Sequence, residues 1–347
     1  MAKRLTIILG AGASYSVNPD GKALDTPGYR PPLAHEIFRG SREFRVILNK
    51  YPLAELLASD IDRRIKQNRQ GVGLEQILRS YEQEVTAGRD SHIARQFLQI
   101  PLYLNELFGE ITTHFTKQPD EYNNLVNIAL GHLDEVLFLT LNYDNLFEIA
   151  LSRISSVDFS AEHHYTHDDK WKLVKLHGSV NWYRQFSGYQ ITEASDKEYF
   201  AQLQRTPLPL QLDDRFILTS LHEHARKYIG NAPVYPALTV PVDGKYQLNS
   251  PPEHIQSATD FLSGCENYLI IGTSGRDRDL LDLLQQHARQ GKVLVVGREQ
   301  ENAERTKRNF QEVVPQFRSD MSVYSHPRGF SEFVDSGALD EFLHKIA

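Results

Sequence analysis

Leu5-Thr6-Ile7-Ile8-Leu9-Gly10-Ala11-Gly12-Ala13-Ser14, near the amino terminus, is a short apolar run that meets two glycines. Residues 5–9 read as a strand covered on both faces. The glycines after it let the chain turn tightly and bring backbone N–H groups close to a diphosphate. A dinucleotide fingerprint would place a third glycine at position 15, where Tyr15 stands, and no strand ending in an acidic residue follows some ~20 residues later. That departure argues against a dinucleotide-dependent dehydrogenase. A plain tight turn explains the Gly-x-Gly equally well, and a different nucleotide-binding α/β fold stays open.

Working outward, further short runs rich in β-branched residues predict strands over 135–140, 173–176, 216–219, 268–271 and 293–296. Helical patterns follow three of them, over 143–153, 279–289 and 299–310, and a last helix is expected over 330–345. Strands alternating with helices predict an α/β fold, a Rossmann-like parallel sheet with helices on both faces. Residues 33–131 break the alternation. They carry amphipathic windows, one through Leu74, Ile77, Leu78 and Tyr81 and another through Ile93, Phe97, Ile100, Leu104, Leu107 and Ile111, and read as a large helical insertion. A second segment, about 183–250, is expected to be irregular because Pro207, Pro209, Pro233, Pro236 and Pro241 interrupt it.

Composition narrows the class. The 347 residues carry 38 Lys and Arg against 45 Asp and Glu, with 40% hydrophobic residues, which suits a globular chain and disfavours a surface given over to nucleic acid. Cys265 is the single cysteine, so neither an intrachain disulfide nor a four-cysteine zinc site can form. Lys3-Arg4 before the apolar run imitates a secretory signal, but five residues fall below the ~7–15 such a signal needs. No stretch approaches the ~20 apolar residues of a membrane helix, and the expectation is a cytoplasmic protein.

Polar motifs stand at the ends of three further strands: Thr140-Leu141-Asn142-Tyr143-Asp144, Lys175-Leu176-His177-Gly178-Ser179, and Gly272-Thr273-Ser274-Gly275 leading into Asp277 and Asp279. In an open parallel sheet, ligands bind in the crevice at the carboxyl ends of strands, so four such ends would converge on one cleft. Each motif alone has a plainer reading. Asn142 and Asp144 could cap the next helix, His177 could be a satisfied buried histidine, and Gly272–Gly275 could be only a turn.

In this order, Gly-Ala-Gly-x-Ser, Thr-x-Asn-x-Asp, Leu-His-Gly and Gly-x-Ser, the motifs resemble the sirtuin-like superfamily. The extended form from Lys175 to Trp182 looks most like the sirtuin-like domains of prokaryotic antiphage defence proteins. The resemblance covers residues 1–32 and 132–347 as an NAD-binding α/β core, with 33–131 inserted. Members of that group typically destroy NAD rather than deacylate proteins, so the resemblance implies an NAD+ glycohydrolase that depletes NAD in abortive infection. Two departures stand out. The zinc module of protein-deacylating sirtuins is missing, and their Pro-Asp-Phe-Arg segment has only a loose counterpart in Pro27-Gly28-Tyr29-Arg30.

The resemblance also implies roles. Asn142 would hold a ribose hydroxyl or a water, and His177 would accept a proton, which suits an imidazole titrating near neutral pH. Asp144 would hold the nicotinamide carboxamide. Gly10, Ala11, Gly12, Ser14, Gly272, Thr273 and Ser274 would bind the diphosphate and adenosine side. NAD is then the substrate and no metal is expected. A homo-oligomer is expected, with control by a protein partner in trans such as an Argonaute-like protein or a translocase-type ATPase. The competing readings are a zinc-independent protein deacylase or ADP-ribosyltransferase, and a non-catalytic module that binds NAD or ADP-ribose.

Other clusters read as surface. His163, His164, His167, Asp168 and Asp169 look like a metal run but sit in a polar connection, and His222-x-His224 lacks a nearby carboxylate except Glu223. Arg63, Arg64, Lys66 and Arg69 read as a solvated helix face.

Overall fold

The computed structural model describes residues 2–17, 26–67, 78, 81, 83, 87, 92–115, 120–188, 195–240 and 249–346. Its centre is a six-stranded parallel sheet in the order β10-β9-β8-β1-β2-β3. These strands are β1 (Arg4–Leu9), β2 (Glu135–Thr140), β3 (Trp171–Lys175), β8 (Asn267–Ile271), β9 (Lys292–Gly297) and β10 (Met321–Ser325). The chain runs outward from β1 to β3, then returns to β8 on the other side of β1. The switch point therefore lies between β1 and β8, where an open α/β sheet leaves a crevice. Register aligns the strand ends there, with Leu9 opposite both Thr140 and Ile271, and Thr140 opposite Lys175.

Alternation along the strands feeds two cores. Leu5, Ile7, Leu9, Val136 and Phe138 face the helices Asp120–His132, Leu146–Ser155, Phe330–Asp335 and Ala338–Ile346. Ile8, Leu137, Leu139 and Val174 face Pro252–Leu262, Arg278–His287 and Gln300–Val313. Because both faces are covered, β1 and β2 read as unbroken apolar runs. Helix ends shift slightly from expectation. The helix after β2 starts at Leu146 rather than 143, and the last helix is two, broken at Gly337, whose φ of +82° a helix does not accept.

The segment expected to be irregular is instead a second, antiparallel sheet in the order β5-β4-β7-β6, with a helix, Asp196–Arg205, beside it. Its strands are β4 (Gly178–Phe186), β5 (Leu212–Leu218), β6 (Tyr228–Ile229) and β7 (Ala232–Leu238). The run at 216–219, expected in the parallel sheet, belongs to β5. Pro233 and Pro236 sit within β7, where a proline removes a ladder donor. They are accommodated because β6 pairs over only two residues and the β4–β7 register shifts between Gly178 and Tyr183. Pro241 lies outside the described residues.

Helices Arg42–Leu48, Pro52–Gln67, His92–Phe97 and Ile100–Thr113 pack with this second sheet in a third apolar cluster that includes Ile47, Leu57, Leu104, Leu107, Val180 and Tyr235. The long amphipathic window divides at Leu98-Gln99 into the last two of these helices. Leu78 and Tyr81 are buried in the cluster, while Leu74 and Ile77 lie outside the described residues. Asn105 ties the module to the sheet. Its amide donates to the Val180 carbonyl at 2.7 Å and its oxygen accepts from Tyr183 Oη and the Ala225 N–H. Among the described residues no helix is long and apolar enough to cross a membrane.

Candidate active site

The turns after β1 and β8 meet backbone to backbone. The Gly10 N–H donates to the Ile271 carbonyl at 2.9 Å, and the Gly12 N–H to the Gly272 carbonyl at 2.8 Å. A Cβ on Gly10 would lie 2.7 Å from the Gly272 oxygen, and one on Gly272, whose φ is +73°, would lie 2.1 Å from the Ala13 nitrogen. Close packing of the two turns therefore requires these glycines whatever the ligand. Tyr15 occupies the place of the missing third glycine. Arg30 donates to its carbonyl through Nε and Nη2 and lies 3.8 Å over its ring, with Arg298 at 5.5 Å. That is the work Arg30 does in this structure: it clamps the short helix Ala11–Ser16.

β2 delivers Asn142 into the crevice. Thr140 Oγ1 accepts the Asn142 N–H at 3.1 Å and donates to the Leu9 carbonyl, which fixes the turn. The Asn142 amide nitrogen donates to the Gly10 carbonyl at 3.1 Å and to Ser14 Oγ at 3.0 Å, and Ser14 Oγ lies 3.0 Å from Tyr122 Oη. Asn142 does not cap the following helix; Asp144 Oδ1 accepts the Leu146 N–H at 3.1 Å instead. Burial raises the Asp144 carboxyl above its ordinary range, opposed mainly by the charge of Lys175.

Beneath this turn lies a buried ion pair. Lys175 Nζ donates to the Asp144 carbonyl at 2.7 Å and to Glu148 Oε1 at 2.6 Å, and neither side chain is exposed to any extent. Ser179 Oγ donates to Asn145 Oδ1 at 2.7 Å, and Asn145 Nδ2 to the Leu221 carbonyl. The β2 and β3 ends are thereby bolted to each other and to the second sheet.

His177, just beyond β3, places Nε2 3.0 Å from Asp277 Oδ2 at the end of the β8 turn. Burial, the strongest influence on the ring, lowers its pKa. The charge and hydrogen bond of Asp277, with Asp279 and the Leu141 backbone, outweigh it and leave it raised. Burial likewise pushes Asp277 up, but His177 and the Leu280 N–H hold it below the usual range. Asp279, which burial and then the Asp277 charge act upon, is pushed up to about 6.

All ten residues singled out in the sequence line one cavity of about 240 Å³: Gly10, Ala11, Gly12, Ser14, Asn142, Asp144, His177, Gly272, Thr273 and Ser274. Pro31, Pro32, Leu33, Ile37 and Phe108 close its apolar side. A cleft of about 860 Å³ continues from it past Gly12, Leu33, Gly272 and Arg276 towards Gly297, Arg298 and Asn302 at the end of β9. The two spaces share Gly12, Leu33, Gly272, Thr273, Ser274 and Arg276 in their linings. Within that lining the Ser14 hydroxyl is held by the Asn142 amide and by Tyr122 Oη.

Sequence reading missed three contributors. Tyr122 comes from a helix 108 residues away from Ser14, with no local signal. Lys175 and Asp277 stood beside the motifs, but nothing in one chain's sequence showed that they pair with Glu148 and His177. His224, read as surface, is half-buried, with its ring against Gly109 and Nε2 3.4 Å from Glu110 Oε1, whereas His222 is exposed. Around Asp168, Oδ1 accepts the Lys170 and Trp171 N–H groups and closes a turn. Arg63 and Arg64 pair with Asp60 on their own helix, and Arg69 lies outside the described residues. Among the described residues no group of three or more His, Cys, Asp or Glu is arranged to hold a metal ion.

The profile of the SIR2-like domain family matches residues 136–313, just over half of the chain. No curated protein matches. Among solved structures, one described under the mechanism and regulation of Sir2 enzymes superposes over 99% of this chain and 93% of its own, at 12% identity and a TM-score of 0.41. A mutant Sir2 homologue in complex with ADP-ribose gives 99% and 93% coverage, 12% identity and a TM-score of 0.42.

Proposed function

The chain belongs to the SIR2-like domain family, and from that premise we propose that it hydrolyses NAD+ at the bond between nicotinamide and ribose. The observation that carries the reading is the gathering of Asn142, Asp144 and His177 in one cavity, at the carboxyl ends of β2 and β3, beside the interlocked glycine turns of β1 and β8. The long cleft beyond those turns suits the ADP-ribose half, with the Thr273 and Ser274 hydroxyls in its lining to meet oxygen atoms.

In the proposed reaction the C1′–N bond breaks with its electron pair leaving to the nicotinamide nitrogen, which becomes neutral. A water oxygen forms the new C1′–O bond, and the released proton goes to His177. The barrier lies in developing oxocarbenium character and in placing the nucleophile, a problem shared with glycoside hydrolysis. Asn142 is suited to placement. Gly10 and Ser14 hold its amide nitrogen, so the group has a fixed attitude and does not titrate. Asp144, whose carboxyl burial pushes above its ordinary range, lines the same cavity within reach of a carboxamide. Cys265, the single cysteine, is buried with Sγ against the Asn267 carbonyl, so a four-cysteine zinc module of the protein-deacylating kind cannot form. This favours hydrolysis over peptide deacylation.

Uncontrolled hydrolysis would drain a cell's NAD, so the reading includes restraint of the isolated chain until assembly with further copies or with a protein partner, in keeping with an antiphage effector. The test of the active-site assignment is Asn142→Ala and His177→Ala. Each is expected to lose ~10²–10⁴-fold of NAD turnover with unchanged circular dichroism. Wild-type turnover in both would overturn it.

A further inference from the structure

His177 does not face the cavity as an isolated imidazole. Its partner carboxylate comes from another strand end, and that carboxylate is itself held. Asp277 Oδ1 accepts the Leu280 N–H at 2.9 Å as the N-cap of the helix Arg278–His287, while Oδ2 meets His177 Nε2 at 3.0 Å. One oxygen is thus anchored by the first turn of a helix and the other is presented to the ring. The His177 side chain is 8% exposed, so water competes little for the contact.

We propose that Asp277 is a positioning residue for His177, orienting the ring and stabilising the imidazolium formed when His177 takes the proton released by NAD hydrolysis. The proposal rests on the reading of His177 as proton acceptor. The logic is that of a base oriented by a third group, in which a carboxylate does not take the proton but favours the charged ring. The Asp277 and Asp279 carboxylates and the Leu141 backbone act on the ring with one sign, which the Arg276 cation opposes. From the β8 turn, Asp277 and Asp279 both favour the charged ring, and Arg276 lines the same cavity. From the β2 turn, Asp144 lines it as well, and the Tyr143 ring lies 6.3 Å from the imidazole. Lys175, two residues before His177, is neutralised by Glu148.

Asp277→Asn keeps the shape of the side chain and its capacity to cap the helix, since asparagine is as good an N-cap as aspartate. The His177 ring proton is followed by NMR in the ligand-free protein, assigned with His177→Gln, and NAD turnover is followed against pH. The expected result is a His177 titration moved to lower pH, an acid limb of kcat moved with it, and a plateau lowered ~10- to 100-fold, the range for losing a hydrogen bond to a charged group. Asp279→Asn should move the titration in the same direction by less, because that carboxyl does not touch the ring. An unmoved titration overturns the proposal. So does a lowered plateau with an unmoved acid limb, which a merely structural role would give, and so does a raised plateau, which would make Asp277 an obstruction. A titration that moves in a protein that turns NAD+ and an acetylated peptide into 2′-O-acetyl-ADP-ribose, with no free ADP-ribose, supports the Asp277–His177 coupling and overturns the hydrolysis reading instead.

Discussion

Lys175→Met removes the cation at the base of the site and leaves Glu148 buried without it. Glu148 is fully buried, its Oε1 accepts a hydrogen bond from Lys175 Nζ at 2.6 Å, and its Oε2 has no hydrogen-bond partner. Burial already pushes this carboxyl up, and the charge and hydrogen bond of Lys175 are what pull it back. Breaking one side of such a pair costs about 3–5 kcal/mol, because the remaining charge is uncompensated. The Asp144 carbonyl loses its donor at the same time. The cost depends on pH with a definite sign. In the variant the folded-state pKa of Glu148 lies further above its unfolded value. Protonation relieves the strain below about pH 4.5, and stability is lost as pH rises through the folded value. Urea unfolding followed by circular dichroism at pH 5 and pH 8 reads this directly. The larger loss is expected at pH 8, and the double variant Lys175→Met with Glu148→Leu should recover most of it. A variant within about 1 kcal/mol of wild type at pH 8, or a double variant less stable than the single one, would refute the reasoning.

Glu121, pushed up to about 7 by burial despite the Ser331 hydroxyl that donates to it, should make the protein lose stability between about pH 4.5 and pH 7, by about 3 kcal/mol in all. Glu121→Gln is expected to flatten that decline in denaturant titrations across the range, and an unchanged slope would contradict it. Gly272→Ala, with a Cβ 2.1 Å from the Ala13 nitrogen and a left-handed φ, should lower stability by at least about 2 kcal/mol. Gly188→Ala, with a similar φ but nothing within 4 Å, should cost only about 1 kcal/mol; equal thermal shifts would show that the interlocked turns do not matter. NAD turnover per chain should rise with protein concentration or on adding a partner, and a high specific activity that stays flat in dilute monomer would rule out restraint by assembly.

The parallel sheet could be read from sequence because its strands are covered on both faces. Residues such as Ile7, Ile8, Phe138 and Leu139 have nowhere to be polar. The second sheet could not. Only the apolar end of β5, from Phe216, stands out as a strand; its start exposes Asp213, Asp214 and Arg215, β7 contains two prolines and β6 has two residues, so neither alternation nor propensity marks the rest. β10 escaped notice for a related reason: it is an edge strand, and Ser322 and Ser325 dilute its pattern. The cavity was legible because short polar motifs at strand ends must gather where parallel strands end together. What holds those motifs was not. Tyr122, Lys175, Glu148 and Asp277 act through contacts between distant segments, which composition and spacing do not encode. The glycines show the opposite case, where the residue type was noticed for a phosphate but the packing of two turns already demands it.

The most direct measurement is chromatographic analysis of NAD+ incubated with the purified protein, assembled at high concentration, with and without an acetylated peptide. Nicotinamide and ADP-ribose in equal amounts, formed without the peptide and lost in Asn142→Ala, is the predicted result. Intact NAD+ without the peptide, with 2′-O-acetyl-ADP-ribose appearing only when the peptide is added, would contradict it.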